Sequence, residues 1–293
     1  MKNKANINVS ALRLPVLAVG LLLFMFIVSL LMGSKTFFAA QSEKELEEIT
    51  TLEKDKVYDY DLNSDGKPEK IQYKLTLDDE KFTVTLKLYI NDKLCMSRKD
   101  HGFSYTLQLV DLDKSDNYLD LYGYGTMESD CISYSFFARY DENNQYHATK
   151  FSPKELTNNF TSTRYSLGAL DGDGKFDLMI DTPIFSEAIG CYICYVPFQL
   201  KDNVISCVPA KTYAFNKFSK EYQYKAAKSF SVYATVGSKK VAYTVKKGEM
   251  VTFHSLYVTK SGKAYFRIVN TKGTTGWIKS TQENLFIEYP AWG

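Results

Sequence analysis

Three acidic loops recur along the chain at near-regular spacing, and each is embedded in short apolar runs. The first is Asp61-Leu62-Asn63-Ser64-Asp65-Gly66-Lys67-Pro68-Glu69. The second runs from Asp111 through Asp113, Ser115, Asp116 and Asn117 to Asp120, and the third is Leu170-Asp171-Gly172-Asp173-Gly174-Lys175-Phe176-Asp177. They begin 50 and then about 58–60 residues apart, the period expected of a repeated four-stranded unit. Between them, residues 71–77, 82–90, 132–140 and 192–200 alternate apolar and polar side chains, the two-residue period of half-buried strands. Asp78-Asp79-Glu80 joins the first two of these runs as a turn. With 22 Tyr and 19 Phe among 293 residues, the side chains also suit a pleated surface. The expectation is an all-β protein.

The loops have the chemistry of a hard-cation site. Calcium takes six to eight oxygens, and alternate positions of a tight loop converge on such an ion. In the first loop Asp61, Asn63, Asp65 and Glu69 supply side-chain oxygens, Lys67 supplies its carbonyl, and Gly66 permits the reversal. The pattern is not an EF-hand: the twelfth position from Asp61 is Gln72, and the flanks read as strands. It resembles the FG-GAP and VCBS calcium-loop repeats of integrin-like β-propellers and bacterial surface proteins. The resemblance implies a metal site of Asp61, Asn63, Asp65, Lys67 and Glu69. It extends in weaker form to Asp111, Asp113, Ser115 and Asp120, and to Asp171, Asp173, Lys175 and Asp177. Ser115 stands where a carboxylate is expected, Asp120 comes one position late, and Ala169 replaces the first ligand of the third loop. Such clusters also make good turns without any ion. Three units are too few to close a propeller. The expected fold is therefore a propeller-like array with an unmarked further unit, or an open meander array.

Charge divides the chain. Residues 41–224 carry 21 basic against 31 acidic side chains, and residues 225–293 carry 11 against three. Two different modules are expected. Ahead of them, residues 14–32 are 19 residues without a charge, preceded by Lys2, Lys4 and Arg13. That length spans a bilayer as a helix, and the basic flank predicts a cytoplasmic N-terminus. The division expected is a membrane anchor or signal over 1–40, a charged helical stalk over 41–56, and the acidic calcium-loop domain over 57–210. A linker over 211–228 and a small barrel over 229–293 complete it. The rest of the chain would lie outside the cytoplasm of a bacterial cell, membrane-anchored or, after cleavage, secreted.

The basic module has five short runs separated by Gly-centred turns. Lys246-Lys247-Gly248-Glu249, the run 265–270, and Gly276-Trp277-Ile278-Lys279 resemble the bacterial SH3-like domain. One departure is Ser231-Val232-Tyr233-Ala234-Thr235-Val236-Gly237 in place of the usual opening stretch. The resemblance implies targeting to cell-wall peptidoglycan or its peptides, and the positive balance adds attraction to anionic wall polymers. Tyr233, Tyr257, Tyr265 and Trp277 are the candidate contacts, with the barrel core as the other place for Trp277. Nucleic acid is not expected in this compartment.

Catalytic signals are sparse. His101, His147 and His254 sit in no metal-ligand or nucleophile motif, and no phosphate-cradling glycine loop is present. A Cys131–His147 hydrolase pair and the carboxylates Glu128, Asp130 and Glu187 are the residual candidates. Cys191-Tyr192-Ile193-Cys194 has redox spacing but strand-like surroundings, which place its two thiols on opposite faces. The reading is a non-catalytic binding protein with calcium as its cofactor and the wall or a surface protein as its partner. A wall hydrolase or its accessory subunit, or a purely structural interaction module, is the alternative.

Overall fold

Alternation becomes pleated sheet wherever the pattern is strict. A computed structural model describes residues 49–157, 160–215 and 223–287, and the expected membrane helix over 14–32 lies outside them. Within β3 (Glu69–Asp78) and β4 (Thr83–Ile90), one face is buried: Ile71, Tyr73, Val84, Leu86, Leu88 and Ile90 are all at most 5% exposed. The hairpin from β4 to β5 (Lys93–His101) turns through Asn91 and Asp92 at φ 50° and 63°. Both side chains tolerate the left-handed region, and a two-residue turn of this hand matches strand twist. With β2 (Tyr58–Tyr60) these strands make a four-stranded antiparallel sheet in the order β2-β3-β4-β5.

Two further meanders follow. The second is β6 (Ser104–Val110), β7 (Asp120–Thr126), β8 (Ile132–Tyr140) and β9 (Tyr146–Phe151). β1 (Ile49–Leu52) adds to the free edge of β6, with Ile49 opposite Val110 and Leu52 opposite Leu107. This corrects the helical stalk expected over 41–56, of which residues 41–48 lie outside the described residues. Ile49, Thr50 and Thr51 are β-branched and favour a strand, and pairing buries Leu52 to 2%. A short helix α1 (Pro153–Thr157) leads to β10 (Tyr165–Leu170), β11 (Lys175–Asp181), β12 (Ile193–Lys201) and β13 (Val204–Cys207). Each acidic loop therefore joins the first and second strands of a four-stranded meander.

The C-terminal strands do not close on themselves. They are β14 (Tyr213–Phe215), β15 (Gln223–Ala226), β16 (Phe230–Tyr233), β17 (Val241–Val245), β18 (Met250–Val258), β19 (Ala264–Asn270), β20 (Thr275–Lys279) and β21 (Phe286–Ile287). The main path runs β10-β11-β12-β14-β18-β19-β20-β16-β17, an open sheet that includes the third meander. The expected separate barrel and the expected linker over 211–228 are both corrected here. β14 pairs with β12 through Cys194 opposite Phe215 and with β18 through Tyr213 opposite Leu256. The physical reason lies in the aromatic residues of that segment. Phe215 is 3% exposed and packs its ring 5.3 Å from Tyr192 and 5.7 Å from Phe266. One hydrophobic cluster consequently spans the acidic and basic regions, and the described residues fall in one compact unit.

Close backbone approach explains two glycines. A Cβ on Gly123 would lie 2.3 Å from the Phe136 ring, and one on Gly276 would lie 2.6 Å from Val232 and 2.9 Å from the Tyr233 carbonyl oxygen. Only glycine fits such contacts. Among the described residues no helix is long and apolar enough to cross a membrane.

Candidate functional site

The first acidic loop folds its carboxylates inward. Asp61 accepts from the Asp65 N–H at 3.1 Å and the Gly66 N–H at 2.9 Å, and Asp65 accepts from the Lys67 N–H at 2.8 Å. Glu69, 3% exposed, accepts from the Leu62 N–H at 2.9 Å. Burial pushes the Glu69 carboxyl up, and the neighbouring Asp65 and Asp61 charges push in the same direction against hydrogen bonds from the Leu62 and Glu69 backbone. Asn63, also buried, donates to the Asp141 carbonyl at 3.2 Å. The donors are hard oxygens in an anionic pocket, a chemistry that fits calcium.

Cationic side chains meet all three loops: Lys67 lies 3.8 Å from Asp65 in the first, and the other two are paired more closely. Arg139, on β8, binds both oxygens of Asp120 at 2.8 and 2.7 Å and Asp116 at 2.6 Å. Asp120 is fully buried; burial raises its carboxyl while the guanidinium pulls it down. Sequence reasoning missed Arg139, although its position facing Asp120 across β7 and β8 follows from the strand register. Asp113 accepts from the Ser115 N–H and hydroxyl. Asp111 lies half-buried in an environment that raises its carboxyl, mainly through desolvation. In the third loop Asp173 is paired with the Lys175 ammonium, and the Lys175 carbonyl already accepts from the Asp171 N–H at 3.0 Å. Asp177 is on β11 opposite Pro197.

The three loops meet. Ser64 donates its hydroxyl to the Asn117 carbonyl, and Leu119 N–H reaches the Leu62 carbonyl at 3.0 Å. Lys114 N–H donates to the Gly172 carbonyl at 3.0 Å, Gly174 N–H to the Leu112 carbonyl at 2.8 Å, and Asp113 bridges Asp173. They form one acidic row rather than three separate sites. Among the described residues, no three His, Cys, Asp or Glu side chains are grouped as a ready metal cage.

The four aromatics singled out in the basic region also gather. Tyr233 on β16 stands opposite Trp277 on β20, and Tyr257 on β18 stands opposite Tyr265 on β19. Tyr257 and Trp277 meet edge to face with centroids 6.0 Å apart. Tyr233, Tyr265 and Trp277 line a cavity of about 270 Å³ together with Lys239 and Lys279. Tyr257 touches the Trp277 ring but is not part of the lining. Trp277 is half-buried, so it belongs to this groove and not to the closed core. The departing stretch 231–237 runs into one rim, the turn 234–240, closed by Ala234 N–H on the Lys240 carbonyl at 2.9 Å. Lys239 and Lys279 were missed as candidates; the pairing of Lys279 with Tyr265 across β19 and β20 marks it.

Cys131 and His147 do not form a catalytic pair. Cys131 precedes β8, whereas His147 pairs with Arg139 near the other end of that strand, a separation of about 25 Å at the strand rise. His147 instead contacts Asp141 at 2.8 Å. The five cysteines are all unbridged, with Cys194 buried in the sheet. No family model, curated protein or solved structure matches this chain.

Proposed function

We propose that this chain is an extracytoplasmic, membrane-anchored binding protein that carries no catalytic centre and holds cell-wall peptidoglycan or an anionic wall polymer. Its contact site is the groove of Tyr233, Tyr265 and Trp277 with Lys239 and Lys279. In this reading the C-terminal strands are an SH3-like module that has fused its sheet with the third meander, and the meanders are relatives of FG-GAP or VCBS repeats. Calcium binds the first loop through Asp61, Asn63, Asp65 and Glu69 with the Lys67 carbonyl, and stiffens the acidic row. In the second loop Arg139 supplies the positive charge that a metal would otherwise bring.

The observation that carries the reading is the convergence of three aromatic rings and two lysines, from β16, β19, β20 and the β16–β17 turn, on one cavity. Aromatic faces cover the apolar faces of sugars and peptides, and ammonium groups hold their carboxylates or phosphates. The test is co-sedimentation of residues 41–293 with purified cell walls, with calcium and with chelator. Retention in both conditions, abolished by the double change Lys239→Gln and Lys279→Gln, is the expected result. No retention in either condition sinks the wall assignment, and release of sugars or peptides from the walls sinks the non-catalytic one.

A further inference from the structure

A second cavity abuts the first. It measures about 380 Å³ and is lined by Ile184, Phe185, Ala264, Tyr265, Lys263 and Lys279. Tyr265 and Lys279 line both cavities. Its outer wall comes from outside the C-terminal strands: Ile184 and Phe185 belong to the connection between β11 and β12. That connection is held against the end of β20. Ser186, fully buried, donates its hydroxyl to the Ser280 carbonyl at 3.2 Å, and the Ala188 N–H reaches the same oxygen at 3.0 Å. Ala188 and Ile189 are fully buried beside it, and the Tyr192 hydroxyl holds the Ile184 carbonyl. Phe185 is nevertheless 56% exposed, an aromatic ring at the edge of a recess whose wall also includes Lys263, Lys279, Ser280 and Thr281.

We infer that the two cavities are adjoining subsites for one extended peptide, with a carboxylate at Lys279 and an apolar side chain in the recess beneath Phe185. The inference rests on the groove reading above and deepens it by naming the ligand class. Three lysines and no acidic side chain line the two subsites, so an anionic ligand is favoured by charge. Ile184, Phe185, Ala264 and Tyr265 give the recess an apolar wall, which a branched aliphatic side chain covers more fully than the apolar face of a sugar does. An extended peptide places apolar and acidic side chains within a few residues of each other. The third meander thus contributes to specificity, and the C-terminal strands alone present an incomplete site.

The test uses the full chain in detergent and three labelled probes: the tetrapeptide Leu-Ala-Glu-Ala, its Ser-for-Leu variant and its Gln-for-Glu variant, with chitotetraose as competitor. The Leu probe is expected to bind about tenfold more tightly than the Ser probe, the scale of one apolar side chain partly buried. Phe185→Ser is expected to erase that difference while leaving the Ser probe unchanged, which also reports that the variant is folded. Lys279→Gln is expected to erase the preference for Glu over Gln. The inference fails if the Leu preference survives Phe185→Ser, if no peptide binds, or if chitotetraose competes and the peptides do not discriminate. Wall pelleting separates the two claims. Equal retention of wild type and Phe185→Ser, with no peptide discrimination, leaves the wall reading standing and removes this one. Peptide discrimination as expected with no wall retention does the reverse.

Discussion

At the residue scale, two buried acidic side chains are both raised by desolvation and by neighbouring carboxylates, and they differ in one partner. Glu69 faces Asp65 and Asp61 with no cation against it, whereas Asp120 has the Arg139 guanidinium opposing burial and the charges of Asp116 and Asp111. Ionised Glu69 costs stability because its carboxyl is raised in the fold: protonation is favoured there, so the loss grows as pH rises above the ordinary carboxylate range. Glu69→Gln should therefore hold or raise the melting temperature in chelator and remove the upward shift that the proposed calcium site predicts for the wild type, read by thermal melts with and without the ion. A calcium shift that survives in the variant overturns the assignment of Glu69. Arg139→Met should behave in the opposite way. It leaves Asp120 buried and unpaired, a loss of about 3–5 kcal/mol, measured from the denaturant midpoint, and Asp120→Asn in the same chain should restore a large part of it.

At the scale of elements, the strands follow from side-chain order and the acidic loops from turn chemistry. The runs expected at 71–77, 82–90, 132–140 and 192–200 correspond to β3, β4, β8 and β12, because alternating apolar residues bury one pleated face whichever sheet receives them. The C-terminal runs are legible for the same reason, and Gly276-Trp277-Ile278 stands out because β20 crosses β16 too closely for a Cβ. Gly276→Ala should cost about 1–3 kcal/mol by overpacking and should also weaken ligand binding, since the obstructing atoms include the Tyr233 carbonyl. Chemical denaturation followed alongside groove binding checks both. A variant with full stability and full binding would show that the crossing relaxes freely. β1 and β14 were not legible. Each is only three or four residues long, and their pairing partners lie tens of residues away.

At the scale of the whole molecule, the charge division between the acidic and basic regions does not mark a structural division. The strands β12, β14 and β18 are hydrogen-bonded in sequence, and Phe215, Phe253, Phe266 and Tyr192 pack as one aromatic group across the junction. Unfolding should accordingly be a single transition, with tryptophan fluorescence and far-UV circular dichroism sharing one midpoint at low and high salt. Two separated transitions would restore the independent-module picture. Tyrosine ionisation should report the same cooperativity. Burial pushes Tyr165 and Tyr243 up to about 12 and raises Tyr122 and Tyr192 well above the ordinary tyrosine value. The folded state holds these protons more tightly than the unfolded chain. Their contribution is therefore intact below about pH 10 and lost as pH rises towards 12. Absorbance at the tyrosinate band should show an early exposed class and a late class that ionises together with unfolding.

What the sequence determined by itself was local: strand positions, the places where acidic loops interrupt them, and the Gly-centred turns of the basic region. These depend on neighbours within a few residues, and a two-residue period or an Asp-Gly turn acts at that range. What only the tertiary structure decided was partnership. The meeting of the three acidic loops, the neutralisation of Asp120 by Arg139, the fusion of two sheets through β14, and the placing of Phe185 beside Tyr265 all join residues far apart in the chain. Burial and strand pairing select such contacts from many that the same local pattern permits, because the gain comes from the whole packed surface and no short segment encodes it.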